Sequence, residues 1–265
     1  MTLLSWEEIY KKIETGKAKW EDFSFEERTP KEWLRPYLWQ IDEMFHKRWS
    51  YWFKVLQTNK IKKIPKIYFL EQPNKETINM LKNCVSKAGS FNNFIEWLAW
   101  GVGELEEKPK LLPEVNESLY KQFNAGLMIK YPYDYFGDIY AETVPTKFLN
   151  SGAFFPTPHS ICKLLVNTQI LGSDKKKLRT ASIYDPCLGT GRILLEASNY
   201  SVNLYGQDIN NDCVLCSKIN GWLYAPWIVK PLGLLKKENV ISIIRTKPVN
   251  RKITRTKYYS MRRTK

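Results

Sequence analysis

The chain has 265 residues, 43% of them hydrophobic, which is enough for one large or two modest buried cores. No run of about 18 apolar residues occurs, so no membrane span is expected, and the opening Trp6-Glu7-Glu8 turns acidic where a secretory signal would be basic and then apolar. The expected location is therefore the cytoplasm, and the formal net charge of +14 points to a polyanionic partner, nucleic acid first.

Residues 1–130 read as a mainly helical, aromatic-rich domain. Ser5 followed by Glu8 is a capping-box pattern for a helix through about Glu14. Thr29-Pro30 predicts the start of a long helix, with Thr29 as cap and Pro30 in the first helical position. Trp33, Tyr37, Leu38, Ile41, Met44 and Phe45 then recur at helical spacing, and Trp49, Trp52 and Phe53 extend the stripe. Such a stripe either packs a core or stacks on bases; core is the reading adopted. Ile64 to Leu70 reads as a short strand. Helical patterns return at Thr77–Lys87, Phe91–Trp100 and Glu114–Met128.

The pattern changes near Tyr131. Residues 131–151, rich in Tyr, Pro and Asp, read as a connecting segment, and a helix is expected after Pro158. Lys175-Lys176-Lys177 predicts a surface loop. Strand and helix signals then alternate: strand Ser182–Tyr184, helix Thr190–Ser198, strand Val202–Tyr205, helix Asp212–Tyr224. That alternation implies a parallel sheet with crossover helices over 131–235. From Lys236 to Lys265 there are 11 Lys and Arg against one acid, Glu238, a basic tail that is either solvated or holds phosphates.

Five cysteines in a chain read as intracellular argue against a disulfide framework. Cys213 and Cys216 form a C-x-x-C, but His46 and His159 are remote in sequence. The pair reads as two small residues on a buried helix face, and no metal site is expected.

Asp185-Pro186-Cys187-Leu188-Gly189-Thr190-Gly191 lies between a predicted strand and a predicted helix. Glycines at such a turn let a ligand approach the backbone, and the carboxylate can hold a cationic or hydroxyl-bearing group. A dinucleotide fingerprint wants glycine where Leu194 stands, and no P-loop Gly-Lys-Ser/Thr occurs. Gly206-Gln207-Asp208-Ile209-Asn210 ends the next strand, with Asp208 23 residues after Asp185. An acid there commonly accepts hydrogen bonds from ribose hydroxyls, and otherwise caps a helix. Gly152-Ala153-Phe154-Phe155-Pro156-Thr157-Pro158 precedes a helix, whose start Thr157-Pro158 would suit.

The ordered set Gly-x-Phe-Phe-x-Thr-Pro, Asp-Pro-x-x-Gly-x-Gly and Gly-x-acid-Ile resembles motifs X, I and II of the N6-adenine DNA methyltransferases, especially the modification subunits of type I restriction systems. Asp134-Tyr135-Phe136-Gly137-Asp138-Ile139-Tyr140 is similar to a family segment before motif X, and Lys218-Ile219-Asn220-Gly221-Trp222-Leu223-Tyr224 to the helix after motif II. The resemblance spans about residues 134–227. It implies an α/β fold, Rossmann-like and S-adenosylmethionine-dependent, preceded by the helical domain. It implies that Phe155, Thr157 and Pro158 line the methionine end of that cofactor. Asp185, Gly189 and Gly191 would hold the amino-acid part, Asp208 the ribose, and Ile209 would border the adenine. The motif III position, which would read the cofactor's adenine, is not placed; Glu238 or Asn239 is a candidate. DNA is the implied partner.

The family's Asn/Asp-Pro-Pro-aromatic motif has no counterpart: the 14 prolines include no adjacent pair, and no catalytic residue is assigned. Only 57 residues follow Asp208. At roughly 30 residues per strand–helix–strand unit, one or two more strands fit, with Ile241–Arg245 a candidate. An incomplete sheet is therefore expected, its edge covered by the amino-terminal helices, a second copy or another chain. Two functions stay open: an adenine methyltransferase, whole or part of a split or truncated enzyme, and an inactive module of that fold binding nucleic acid or a partner protein.

Overall fold

The computed structural model describes residues 6–19, 22, 28–143, 156–232 and 244–246. Helix α1 spans Trp6–Glu14, ending where the capping-box pattern predicts, although Ser5 itself lies outside the described residues. Helices α2 (Arg35–Phe45) and α3 (Arg48–Thr58) carry the aromatic stripe.

The predicted start at Thr29-Pro30 is corrected. The Glu32 N–H donates to the Trp100 carbonyl at 3.0 Å and the Leu34 N–H to Gly101 at 2.8 Å, so residues 31–34 are held as a turn. Glu32 adopts the left-handed region (φ 71°), which interrupts a helix, and Pro36 in the first turn marks the real start. Thr29 is buried and accepts from Asn116 Nδ2 at 3.0 Å instead of capping.

The stripe divides. Trp33, Leu38, Trp49 and Trp52 are buried, as the core reading expects, while Tyr37, Met44, Phe45 and Phe53 reach the surface. Ile64–Leu70 is extended but is not a strand. The Asn199 side chain takes the place of a neighbouring strand: Ile67 N–H donates to its Oδ1 at 2.8 Å and its Nδ2 donates to the Ile67 carbonyl at 2.9 Å.

Helices α4 (Lys75–Ala88) and α5 (Phe91–Gly101) follow the expected patterns, capped by the Asn74 and Ser90 side chains. The expected helix Glu114–Met128 is two helices, α6 (Pro113–Gln122) and α7 (Ala125–Lys130), because Asn124 opens a new cap. The expected connecting segment contains helix α8 (Tyr135–Thr143). Its aromatic residues are core: Tyr135, Phe136 and Ile139 are fully buried.

Helix α9 (His159–Ile170) follows Pro158 as expected, and Lys175-Lys176-Lys177 forms a one-turn helix, α10 (Lys175–Leu178). Then come β1 (Ser182–Asp185), α11 (Arg192–Ala197), β2 (Asn203–Asp208), α12 (Asn211–Tyr224), α13 (Pro226–Val229) and β3 (Ile244–Thr246). Among the described residues three strands are parallel in the order β1-β2-β3, with Asp185 opposite Gly206. The chain is thus α/β in its second part, with β1 at one edge of the described sheet. Of the predicted strand Ile241–Arg245, residues 241–243 lie outside the described residues and β3 begins at Ile244.

One contiguous hydrophobic core joins the helical part to the sheet. Trp49 stacks on Trp222 with ring centroids 5.0 Å apart and donates its Nε1–H to the Trp222 carbonyl at 3.0 Å. Burying each such side chain contributes roughly 2–3 kcal/mol. Arg48, fully buried in the same contact, donates to the carbonyl of Pro65, the Ser198 hydroxyl and carbonyl, Asn199 Oδ1 and the Tyr224 carbonyl. Burial lowers its pKa to about 9, which leaves the guanidinium charged at neutral pH. Among the described residues no helix is long and apolar enough to cross a membrane.

Candidate cofactor site

The carboxyl ends of β1 and β2 lie side by side, and the two acidic motifs meet there. Asp185 ends β1 and is 6% exposed. Its Oδ1 accepts the Cys187 N–H at 3.1 Å, while its Oδ2 is buried with no hydrogen-bond partner among the described residues. Burial first, and then the neighbouring Asp208 charge, raises its carboxyl above the ordinary range, against the lowering effect of the Cys187 N–H.

Asp208 ends β2 and reaches across to the glycine turn. Its Oδ2 accepts the Gly189 N–H at 2.8 Å and its Oδ1 the Asn210 N–H at 2.8 Å. Each oxygen keeps a further lone pair for a ligand hydroxyl. The turn has left-handed backbone at both glycines, Gly189 (φ 54°) and Gly191 (φ 95°). A Cβ on Gly191 would stand 2.6 Å from Ser217 Oγ, so the turn packs directly on α12. Ile209 follows, 56% exposed beside Asp208.

A buried polar cluster, which the sequence reading did not assign, fixes these parts. Asp134 is fully buried. Its Oδ2 accepts from Thr190 Oγ1 at 2.5 Å and Arg192 Nε at 2.7 Å; its Oδ1 accepts from Gly137 N–H at 3.1 Å and Asn220 Nδ2 at 2.8 Å. Arg192 also pairs with Asp138 and donates from an Nη atom to the Thr157 carbonyl at 3.1 Å. One guanidinium therefore links the start of α11, the start of α8 and the Thr157-Pro158 segment. The flanking resemblances at Asp134 and Asn220 were the available signal; only the fold shows that they touch.

Asp185, Gly189, Gly191 and Asp208 are brought together at the strand ends, and Thr157 is joined to them through Arg192. Pro158 is exposed at the start of α9. Phe155, Glu238 and Asn239 lie outside the described residues, as does most of the 236–265 tail. His159, behind Pro158, packs against Tyr133 with ring centroids 4.4 Å apart, and burial lowers its pKa to about 4, so it is neutral at neutral pH. Cys213 and Cys216 are buried on α12, and burial raises both thiols well above their ordinary range, which disfavours thiolate.

A glycine turn after one parallel strand and an acid ending the next is an arrangement that nucleotide-cofactor sites use in α/β folds. Residues 132–225 match the family model for N-6 DNA methylases. The matched segment is the one whose ordered motifs resemble the N6-adenine DNA methyltransferases. The chain is similar to the methylase subunit of the type I restriction enzyme MjaVII from Methanocaldococcus jannaschii, 26% identical over 165 residues. That alignment covers 56% of this chain but only 26% of the relative, so the chain spans about a quarter of the curated protein it matches. No solved structure matches.

Proposed function

We propose that the chain binds S-adenosylmethionine at the carboxyl ends of β1 and β2, as the cofactor-binding part of a DNA N6-adenine methyltransferase. The observation that carries this reading is the pairing of a buried, unpartnered Asp185 Oδ2 with the Asp208–Gly189 clasp on neighbouring strand ends. The residues fit the cofactor chemically. A carboxylate oxygen without a partner suits the α-ammonium group, Asp208 retains lone pairs for ribose hydroxyls, and exposed Ile209 offers an apolar face to adenine. The left-handed turn at Gly189 and Gly191 lets a ligand approach backbone that side chains would otherwise cover.

The order β1-β2-β3, read from the edge as 3-2-1, matches the order of one half of a doubly wound sheet, which supports a Rossmann-like reading. When bound, the cofactor supplies an activated methyl group for an adenine amino group. The chain's own residues bind and orient: Asp185 holds the cation, Asp208 fixes both ribose and turn, and Arg192 sets Thr157 against the site. Extruding a base from the duplex and gripping its amino group need further residues; these belong to a partner chain, a second copy or further sequence. The proposed setting is the cytoplasm, with DNA as substrate.

A second reading is favoured by one observation, the lack of any Pro-Pro pair in the sequence. On that reading the fold binds cofactor or nucleic acid without transferring methyl groups. Incubating the purified chain with methyl-labelled S-adenosylmethionine and mixed-sequence DNA separates the two. Label in DNA that disappears with Asp185→Ala supports methylation by this chain; cofactor binding by calorimetry without label transfer supports the binding module. Absence of binding at millimolar cofactor by a folded chain would sink the cofactor reading itself.

A further inference from the structure

Two basic runs far apart in sequence meet on one groove. Lys60, Lys62, Lys63 and Lys66 lie on the extended segment after α3, and Lys175, Lys176, Lys177 and Arg179 lie on and after α10. Between them is a groove of about 1130 Å³, lined by Lys63, Lys66, Lys175 and Arg179 together with Tyr68 and Tyr200. Among the described residues no carboxylate lines it. The adjoining acid, Asp174, is outside the lining and accepts the backbone N–H groups of Lys176 and Lys177 as a helix cap.

The walls are fixed. The extended segment is held by the two-way Asn199–Ile67 amide pairing and by Arg48 Nε donating to the Pro65 carbonyl at 2.9 Å. Tyr51 adds a hydroxyl bond to the Lys62 carbonyl at 3.1 Å. Lys66 Nζ lies 5.0 Å from the centre of the Tyr200 ring, and Tyr200 donates to Asn167 Oδ1 at 2.9 Å. Tyr68, by contrast, is 79% exposed, a free aromatic face beside the cations.

We propose that this groove binds single-stranded nucleic acid, with the phosphates along the two basic runs and a base stacked on Tyr68. Cations tracking a backbone beside an exposed aromatic ring are the general means of holding a single strand. The site is separate from the cofactor site. Arg179 and Tyr200 precede β1 and β2, whereas Asp185 and Asp208 end them, so the two lie at opposite ends of the sheet. The proposal rests on the charge and shape of this groove and not on the methyltransferase reading.

The test uses the full chain and a fluorescein-labelled, mixed-sequence single-stranded DNA carrying 5-bromouracil. Binding is followed by anisotropy across a salt series. Lys66→Glu/Arg179→Glu is expected to weaken binding by about ten-fold or more, with a shallower salt slope. The same charge change at Lys87 and Lys110, exposed outside the groove, is expected to weaken it by less than about three-fold. Should the double reversal not fold, Lys63→Gln/Lys175→Gln repeats the test at exposed positions. Photocrosslinking is expected to mark Tyr68, and Tyr68→Ala is expected to weaken the single strand more than a duplex of the same sequence. Equal loss in the groove and control variants, or crosslinks confined to residues 236–265, would overturn the groove. An equal effect of Tyr68→Ala on single strand and duplex would overturn the single-strand assignment. Groove-dependent binding to phosphatidylserine vesicles with no groove dependence for DNA would make the site a membrane-facing one and overturn the proposal.

Discussion

Gly189 donates its backbone N–H to Asp208 Oδ2 at 2.8 Å, so the acid ending β2 holds the glycine turn that follows β1. With Asn210 N–H on the other oxygen, the carboxylate accepts on both sides. An amide offers only one acceptor oxygen. Asp208→Asn is therefore expected to leave one N–H facing an NH2 group and to cost about 1–2 kcal/mol in urea denaturation. Calorimetry with S-adenosylmethionine should show weaker binding for Asp208→Asn, and weaker still for Asp208→Ala.

Asp185 gives a pH signature. Its folded carboxyl is raised by burial, and a bound ammonium group would favour the ionised form. Cofactor affinity is expected to fall as pH drops through that raised value, because a proton must leave before the cation is held. Asp185→Asn should bind more weakly at neutral pH and lose the pH dependence. A wild-type affinity that is flat with pH would count against Asp185 as the cation's partner.

The Asp134–Arg192 pair is buried, and its members serve three segments at once. Asp134→Ala leaves the buried guanidinium with Asp138 as its remaining carboxylate and orphans the Thr190, Gly137 and Asn220 donors, and is expected to cost about 3–5 kcal/mol. Arg192→Lys should not restore the loss, since one ammonium cannot reach Asp134, Asp138 and the Thr157 carbonyl with the guanidinium's planar fork. Chemical denaturation measures both.

Gly191 has both a backbone and a packing reason to be glycine. Gly191→Ala places a Cβ against Ser217 Oγ and puts a side chain at φ 95°. A loss of about 1–3 kcal/mol is expected from the strain, plus the clash. Adding Ser217→Ala should return only the clash, because the backbone strain remains. Full rescue would mean the conformation itself is not strained.

Glu196 predicts how stability varies with pH. Burial raises its carboxyl to about 7, against an ordinary value of 4.5, despite the nearby Lys163 and Arg48. Between those values the folded chain holds more protons than the unfolded one, so this group makes stability fall as pH rises. His159, lowered to about 4 by burial, acts in the opposite sense: it costs stability as pH falls below its ordinary 6.5. The difference between wild type and Glu196→Gln isolates the first effect. The wild type should lose stability relative to the variant from about pH 4.5 to 7, by a few kcal/mol at most.

The strands, the glycine turn and the acids at the strand ends were legible in the sequence, because local signals write them: apolar runs, glycines where the turn is tight, and a fixed spacing from Asp185 to Asp208. The helix starting at Trp6 was legible through its capping-box pattern, and the helices following Asn74 and Ser90 through their helical patterns, for the same reason. What failed depended on distant partners. Thr29-Pro30 looks like a helix start, but the chain there is drawn to the carbonyls ending α5. Ile64–Leu70 looks like a strand, but an asparagine side chain, an arginine and the Pro132 carbonyl hold it where a neighbouring strand would. Residues 135–143 look like a linker because their tyrosines and aspartates are common in loops; burial against α5 and α12 makes them a helix.

The same division holds for the site. The sequence by itself pointed to the residues proposed to hold the cofactor and to the family segment they resemble, because those motifs are contiguous. Only the tertiary structure decided that Asp134, Thr190, Arg192 and Asn220 interlock, and that two lysine runs face one groove. Those relationships join residues tens of positions apart, and chain spacing does not encode which distant side chains a buried carboxylate or a surface cation will meet.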